Sequence, residues 1–138
     1  LAEHGTPGDT ASLSGHRLLA ATGQFPWRLS DANGRTVAVN GASHVRTNSS
    51  EVVRELAVAG VGIALRSLWD VSADLAAGRL VRILPACEGP ADVGIYAVSP
   101  RRTGIAPAVL AFLDFLERLY MPVPPWERQP PLTGTAVL

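Results

Sequence analysis

The stretch from His44 to Tyr120 constrains the fold most tightly, because it alternates strand-like and helix-like hydrophobic periods in a fixed order. His44-Val45-Arg46-Thr47 reads as a short strand. Asn48 stands at an N-cap position with Glu51 three residues on, the spacing at which two side chains satisfy helix-end donors reciprocally. Val52, Val53, Leu56 and Ala59 mark one apolar helical face, and Gly60 ends that helix. Gly62-Ile63-Ala64-Leu65 is a compact buried strand. Ser67 and Asp70 repeat the capping spacing and open a second helix, which runs through Leu75 and closes at Gly78. Strands over residues 80–84 and 94–99 follow, with a loop around Cys87 between them. Pro107 then opens a last helix at the first-turn position, where its missing N–H costs nothing. Val109, Phe112, Leu113, Leu116 and Leu119 share that helix's apolar face. A strand–helix–strand unit of this kind predicts parallel pairing through a crossover, and so an α/β fold with a mixed sheet flanked by helices.

Upstream, Arg17-Leu18-Leu19-Ala20 predicts a first buried strand, and Phe25-Pro26-Trp27-Arg28-Leu29 a second whose Pro26 avoids a central ladder position. Asp31-Ala32-Asn33-Gly34 is a hairpin turn, and Thr36-Val37-Ala38-Val39 pairs back across it. Beyond Tyr120 five prolines precede residue 132 and no apolar period survives. Residues 121–138 are therefore expected to be a disordered, Pro-rich tail.

Charge and cysteine content narrow the function. Twelve basic and twelve acidic residues cancel, so no bulk positive field is available to hold a phosphate backbone. No DNA-binding residues are assigned, and DNA contact is expected only through a domain absent from this chain. Every basic residue is arginine, which suits fixed ion pairs and carboxylate recognition. Cys87 is alone, so neither an internal disulfide nor a thiolate zinc site can form. No run approaches the ~18 apolar residues a membrane span needs, and no signal-peptide core opens the chain. A cytoplasmic protein with no membrane contact is expected.

Enzyme signatures are missing. Gly60-Val61-Gly62 lacks the third glycine of a dinucleotide fingerprint and reads as a helix end followed by a tightly packed strand start. His4, His16 and His44 lie too far apart for local metal-ligand spacing. Asp70 and Asp74, one helical turn apart, read as a solvated face. No catalysis, cofactor or metal is expected. The positive signal is the edge where a helix follows a strand directly. Free backbone N–H groups and the positive end of the helix dipole face that edge, and Asn48, Ser49 and Ser50 add three small hydrogen-bonding side chains. These residues either cap the helix or meet a polar ligand. Thr22-Gly23-Gln24-Phe25, after the first strand, borders the same carboxyl edge, where ligands of open α/β sheets collect.

The whole ordered set resembles the distal half of the effector-binding domain of LysR-type transcriptional regulators. It includes the phrase Gly78-Arg79-Leu80-Val81-Arg82-Ile83-Leu84-Pro85 and the entry Leu1-Ala2-Glu3-His4-Gly5-Thr6-Pro7, and it covers about residues 1–120. The resemblance implies one lobe of a two-lobed, periplasmic-binding-protein-like (type 2) effector domain. Residues 1–94 would build the second lobe, and residues 95–120 would be the return strand and helix of the first. The winged helix-turn-helix and most of the first lobe have no counterpart in this sequence. The implied function is sensing of a small effector, taken here as a carboxylate, bound near Thr22, Gly23, Asn48, Ser49 and Ser50. Arg66 departs from the proline that many members carry there. Its guanidinium either enters the cleft or pairs with Asp70 at helical spacing. A homo-oligomer is expected, because the last helix's apolar face has no first lobe to pack on. The alternative is a stand-alone small-molecule-binding or dimerisation module with no DNA-binding domain.

Overall fold

The computed structural model describes residues 5–31, 33–90, 93–98, 104–128 and 135–137. Its centre is a parallel pair, β1 (Leu18–Leu19) beside β4 (Ile63–Ser67), in the register Leu18 to Ile63 and Leu19 to Ala64. Between them in sequence run the hairpin strands β2 (Trp27–Ser30) and β3 (Thr36–Val39), then helix α1 (Ser50–Val58). Helix α2 (Leu68–Ala76) leaves β4 with no intervening loop, and α3 (Pro107–Tyr120) comes last among the helices. A short strand, β5 (Thr135–Val137), pairs antiparallel with the end of β4, so the three-stranded sheet is mixed.

Strand alternation partitions the core. Leu18, Ala20 and Ile63 turn to one face of the parallel pair, where Trp27, Leu29 and Val39 of the hairpin cover them. Leu19, Ala21 and Ala64 turn to the other, against Val53 and Ala57 of α1 and Leu68 and Val71 of α2. Side chains that step across a strand with period two need cover on both sides, and a two-strand centre obtains it from unlike partners.

The expected elements from residue 17 to 78 appear with one exception, and two glycines show why the spacing is strict. Gly60, at φ +74, ends α1, and a Cβ on Gly62 would stand 2.3 Å from the Arg17 carbonyl oxygen. The Gly-X-Gly is thus a helix stop and a close approach between β4 and β1, as read. Among the described residues of the hairpin turn Gly34 alone takes positive φ (+77), while Asp31 Oδ1 accepts the N–H groups of Asn33 (2.9 Å) and Arg35 (2.8 Å). Ala32 lies outside the described residues.

Four expectations are corrected. Residues 44–47 form no strand: His44 N–H donates to the Leu18 carbonyl and Thr22 N–H to that of Thr47, but Ala20 N–H between them goes to the Ser43 hydroxyl. One side-chain oxygen in the ladder's place prevents regular pairing. Residues 80–84 also form none, because Leu80 N–H is spent on the Asp74 carbonyl and Leu84 sits at φ +49. Leu80, Ile83 and Leu84 are nonetheless buried. The expected return strand has no regular structure over residues 93–98; Ser99 and Pro100 lie outside the described residues. Last, where a disordered tail was expected, a 3-10 turn (Pro125–Glu127) and β5 are formed, and Trp126 packs against the helix-side core.

Helix α3 has the bounds the sequence implied, with Pro107 in its first turn, yet none of its residues is buried. Phe112 is 57% exposed, Phe115 55% and Leu110 51%; Leu113 and Leu116 are half-buried.

Candidate functional site

The carboxyl ends of β1 and β4 gather most of the residues singled out from sequence. The turn after β1 is closed by Gln24, whose N–H donates to the Ala21 carbonyl while its Oε1 accepts Ala21 N–H. Gly23 holds φ +84 at its tip. Thr22 ties the turn to the chain entering α1: its N–H and its hydroxyl both donate to the Thr47 carbonyl, at 2.8 and 3.1 Å. Thr47 in turn accepts Ser49 N–H on its own hydroxyl (3.1 Å). Thr22, Gly23, Asn48, Ser49 and Ser50 therefore meet at one edge.

The cap falls one residue later than the spacing implied. Ser49 is the N-cap, in extended geometry, and its hydroxyl accepts Val52 N–H at 3.3 Å. Asn48 is exposed. Glu51 does not reach back to complete a capping box but accepts from Arg54 Nη1 (2.9 Å). The Thr47 hydroxyl explains the shift, since by taking Ser49 N–H it carries the extended chain one residue further. Asn48 and Ser50 are left displayed beside α1's first-turn N–H groups, at the positive end of a nine-residue helix.

Arg66 takes the second of its two alternatives. It is 7% exposed, and its Nε donates to Asp70 Oδ2 at 2.7 Å with Nη2 on the same oxygen. The pair lies across the junction of β4 and α2, so the guanidinium is already partnered where the strand ends.

The reading of Asp70 and Asp74 as a solvated face is overturned. Asp74 is 1% exposed and clamped by two guanidinium groups. Arg54 of α1 reaches Oδ2 through Nε (2.9 Å) and Nη2 (2.7 Å), and Arg79 reaches Oδ1 through Nε (2.7 Å) and Nη2 (2.6 Å). Burial pushes this carboxyl's pKa up, but the hydrogen bonds and charges of Arg79 and Arg54 outweigh it and hold the group below the usual carboxylate value. The same contact with Asp74 raises Arg54. Arg54 stands 20 residues from Asp74 and Arg79 five, neither a helical neighbour spacing, so no local pattern marks the cluster. It locks α1 to α2 and so fixes both helix starts at the edge.

The remaining candidates do not converge. Among the described residues no group of three or more His, Cys, Asp or Glu could hold a metal ion. His4 and Arg101-Arg102 lie outside the described residues. Cys87 is a free, half-buried thiol. Trp27 is core, stacked on Phe25 at 4.9 Å, while Trp69 is exposed and Trp126 half-buried, so the three tryptophans form no platform. No helix among the described residues is long and apolar enough to cross a membrane.

Fold and edge together define an α/β unit with helix starts and small polar side chains at the carboxyl edge of its parallel strands. Comparison with known proteins makes this specific. The LysR substrate binding domain family matches residues 1–120, and the chain belongs to it. The transcriptional regulator DmlR of Escherichia coli K12 is 34% identical over 125 residues, 87% of this chain and 39% of DmlR. The solved CrgA regulatory domain, a LysR-type transcriptional regulator of Neisseria meningitidis, superposes with a TM-score of 0.64 at 29% identity, covering 86% of this chain and 58% of that one. YagP of E. coli K12, named for its LysR family substrate binding domain, is 28% identical over 110 residues, 80% of this chain and 79% of YagP. The chain thus spans about two fifths of DmlR's length and most of YagP's. It belongs to the effector-binding domain of the LysR type, with the periplasmic-binding-protein-like fold of these regulatory domains, and DmlR and CrgA are transcriptional regulators rather than enzymes.

Proposed function

We propose that the chain senses a small carboxylate for a LysR-type transcriptional regulator, binding it at the edge formed by Thr22, Gly23, Asn48, Ser49 and Ser50. The observation that carries this reading is the lock between Thr22 and Thr47. It brings two loops from opposite ends of a 25-residue interval to one helix start and leaves Asn48 and Ser50 exposed beside it. Backbone N–H groups at a helix start, with hydroxyl and amide side chains around them, suit a carboxylate's oxygens. Arg66, held by Asp70, is the cation for which a bound carboxylate would compete.

In this reading residues 1–94 are the second lobe and residues 95–120 the return to the first. DNA is contacted only through a domain outside this sequence. A thermal-shift screen of small carboxylates against the chain and its Ser50→Ala and Asn48→Ala variants tests it. A carboxylate that raises the unfolding temperature of the wild type, and less so in both variants, supports the site. Equal shifts in all three proteins refute it.

The second reading, a stand-alone small-molecule-binding or dimerisation module, draws support from YagP, which the chain nearly spans. A helix-turn-helix encoded directly upstream of Leu1 decides for the regulator; an unrelated upstream reading frame decides for the module.

A further inference from the structure

A cavity of about 480 Å³ opens over the start of α2. It is lined by Trp69 of α2, by Val93 and Ile95 in the segment after the core, and by Tyr120, Met121 and Trp126 at the end of α3 and beyond. None of Thr22, Gly23, Asn48, Ser49, Ser50 or Arg66 lines it, so it is distinct from the α1 edge. The family match ends at residue 120, and the outer wall lies beyond that match. From this geometry we propose that the cavity is a second ligand site and takes an uncharged aromatic molecule.

The outer wall is held in place at two points. Trp126 packs against the helix-side core, and its ring lies 5.4 Å from that of Tyr120, tilted by 43°. Arg128 then turns back, its Nη2 donating to the Leu119 carbonyl (3.0 Å) and its Nε to that of Val123 (3.0 Å). A segment cross-tied to the helix it follows forms a wall rather than a passing loop. The volume falls in the range of small-molecule sites.

Lining chemistry selects the ligand. Trp69, Tyr120 and Trp126 bring three rings from three parts of the chain, with Val93, Ile95 and Met121 between them. Trp69 is 51% exposed and Tyr120 36%, so both leave ring surface uncovered for a partner ring, stacked with an offset or met edge to face. Charge selects neither sign. Glu88 already engages another group, and Glu127 is exposed with Arg128 next to it in the chain. The described lining residues include no arginine, lysine or histidine. An ion of either sign would therefore give up hydration among apolar walls without a buried counter-charge, a cost that an uncharged ring escapes.

Calorimetry on the full 138-residue chain tests this with 2-naphthalenemethanol and its charged analogues, 2-naphthoate and 2-naphthylmethylammonium, at pH 7. Affinities are compared for the binding that Trp69→Ala weakens, which sets aside any carboxylate held at the α1 edge. The alcohol should bind saturably and about tenfold more tightly than either ion. Trp69→Ala and Tyr120→Ala, on separate walls, should each weaken it about three- to tenfold. Circular dichroism checks that both variants fold, and Trp69→Leu or Tyr120→Leu replaces an alanine variant that does not. Phe112→Asp with Phe115→Asp, outside the cavity on the exposed face of α3, should leave the alcohol's affinity unchanged. An ion bound at this site as tightly as the alcohol overturns the proposal. So does an alcohol affinity that either ring variant leaves unchanged or that the α3 double variant abolishes, or the absence of saturable binding.

Discussion

Removing both arginines around Asp74 should reverse the sign of one part of this protein's pH dependence. In the wild type the Asp74 pKa is depressed, so its stabilisation is fully present above the unfolded value of about 4 and is lost as pH falls through the folded value below it. The two partners contribute unequally. The Arg54 side chain is 21% exposed and bonds Asp74 through two nitrogens, so losing it should cost about 1.5–3 kcal/mol, the range for charged hydrogen bonds. Arg79 is 53% exposed and screened by water, which limits Arg79→Ala to about 1 kcal/mol. Together the substitutions strand a buried carboxylate, at about 3–5 kcal/mol, or roughly 10–20 °C in a domain of this size. Asp74 would then escape its cost by binding a proton, with its folded pKa raised instead of depressed. The double variant should therefore gain stability as pH falls from 7 toward 4, over a range where the Asp74 contribution to the wild type is constant. Urea denaturation of wild type, both single variants and the double variant from pH 4 to 7.5 measures this. A double variant whose midpoint falls in parallel with the wild type's across that range would refute the assignment of Asp74 as a buried, clamped carboxylate. Equal costs for the two single variants would refute the ranking by exposure.

Three further outcomes follow from the geometry. Ser49→Ala should cost about 1 kcal/mol through loss of the α1 cap, and Asn48→Ala much less, because Asn48 is not the cap; chemical denaturation of both separates them. Gly62→Ala should destabilise by about 1–3 kcal/mol or prevent folding, since its Cβ would collide with the Arg17 backbone; a melting temperature within a degree of the wild type would contradict the close approach of β4 to β1. The exposed apolar face of α3 should drive self-association, each side chain that becomes buried contributing about 1.5–3 kcal/mol. Light scattering should then show a dimer or larger assembly that Phe112→Asp with Phe115→Asp dissolves, whereas a stable wild-type monomer at micromolar concentration would exclude it.

The local features of this protein were legible in the residues themselves. Pro107 sets the start of α3, Gly60 and Gly78 end the two shorter helices, and the Asn33-Gly34 turn places β2 against β3, because caps, stops and turns are satisfied within four or five residues. The ordered set of elements was enough to point to the LysR effector domain. What the tertiary structure decided were the bonds between segments distant in sequence. The Ser43 hydroxyl takes the place of a ladder carbonyl at Ala20, so residues 44–47, read from sequence as a short strand, form none. Thr47, held by Thr22, moves the α1 cap from Asn48 to Ser49. Asp74 changes from a solvated residue to the buried centre of a cluster because Arg54 reaches it from another helix. Trp126 becomes a wall of a pocket because α2 happens to lie beneath it. In each case a polar or aromatic group has more than one way to be satisfied locally, and only the packing of the whole chain selects among them.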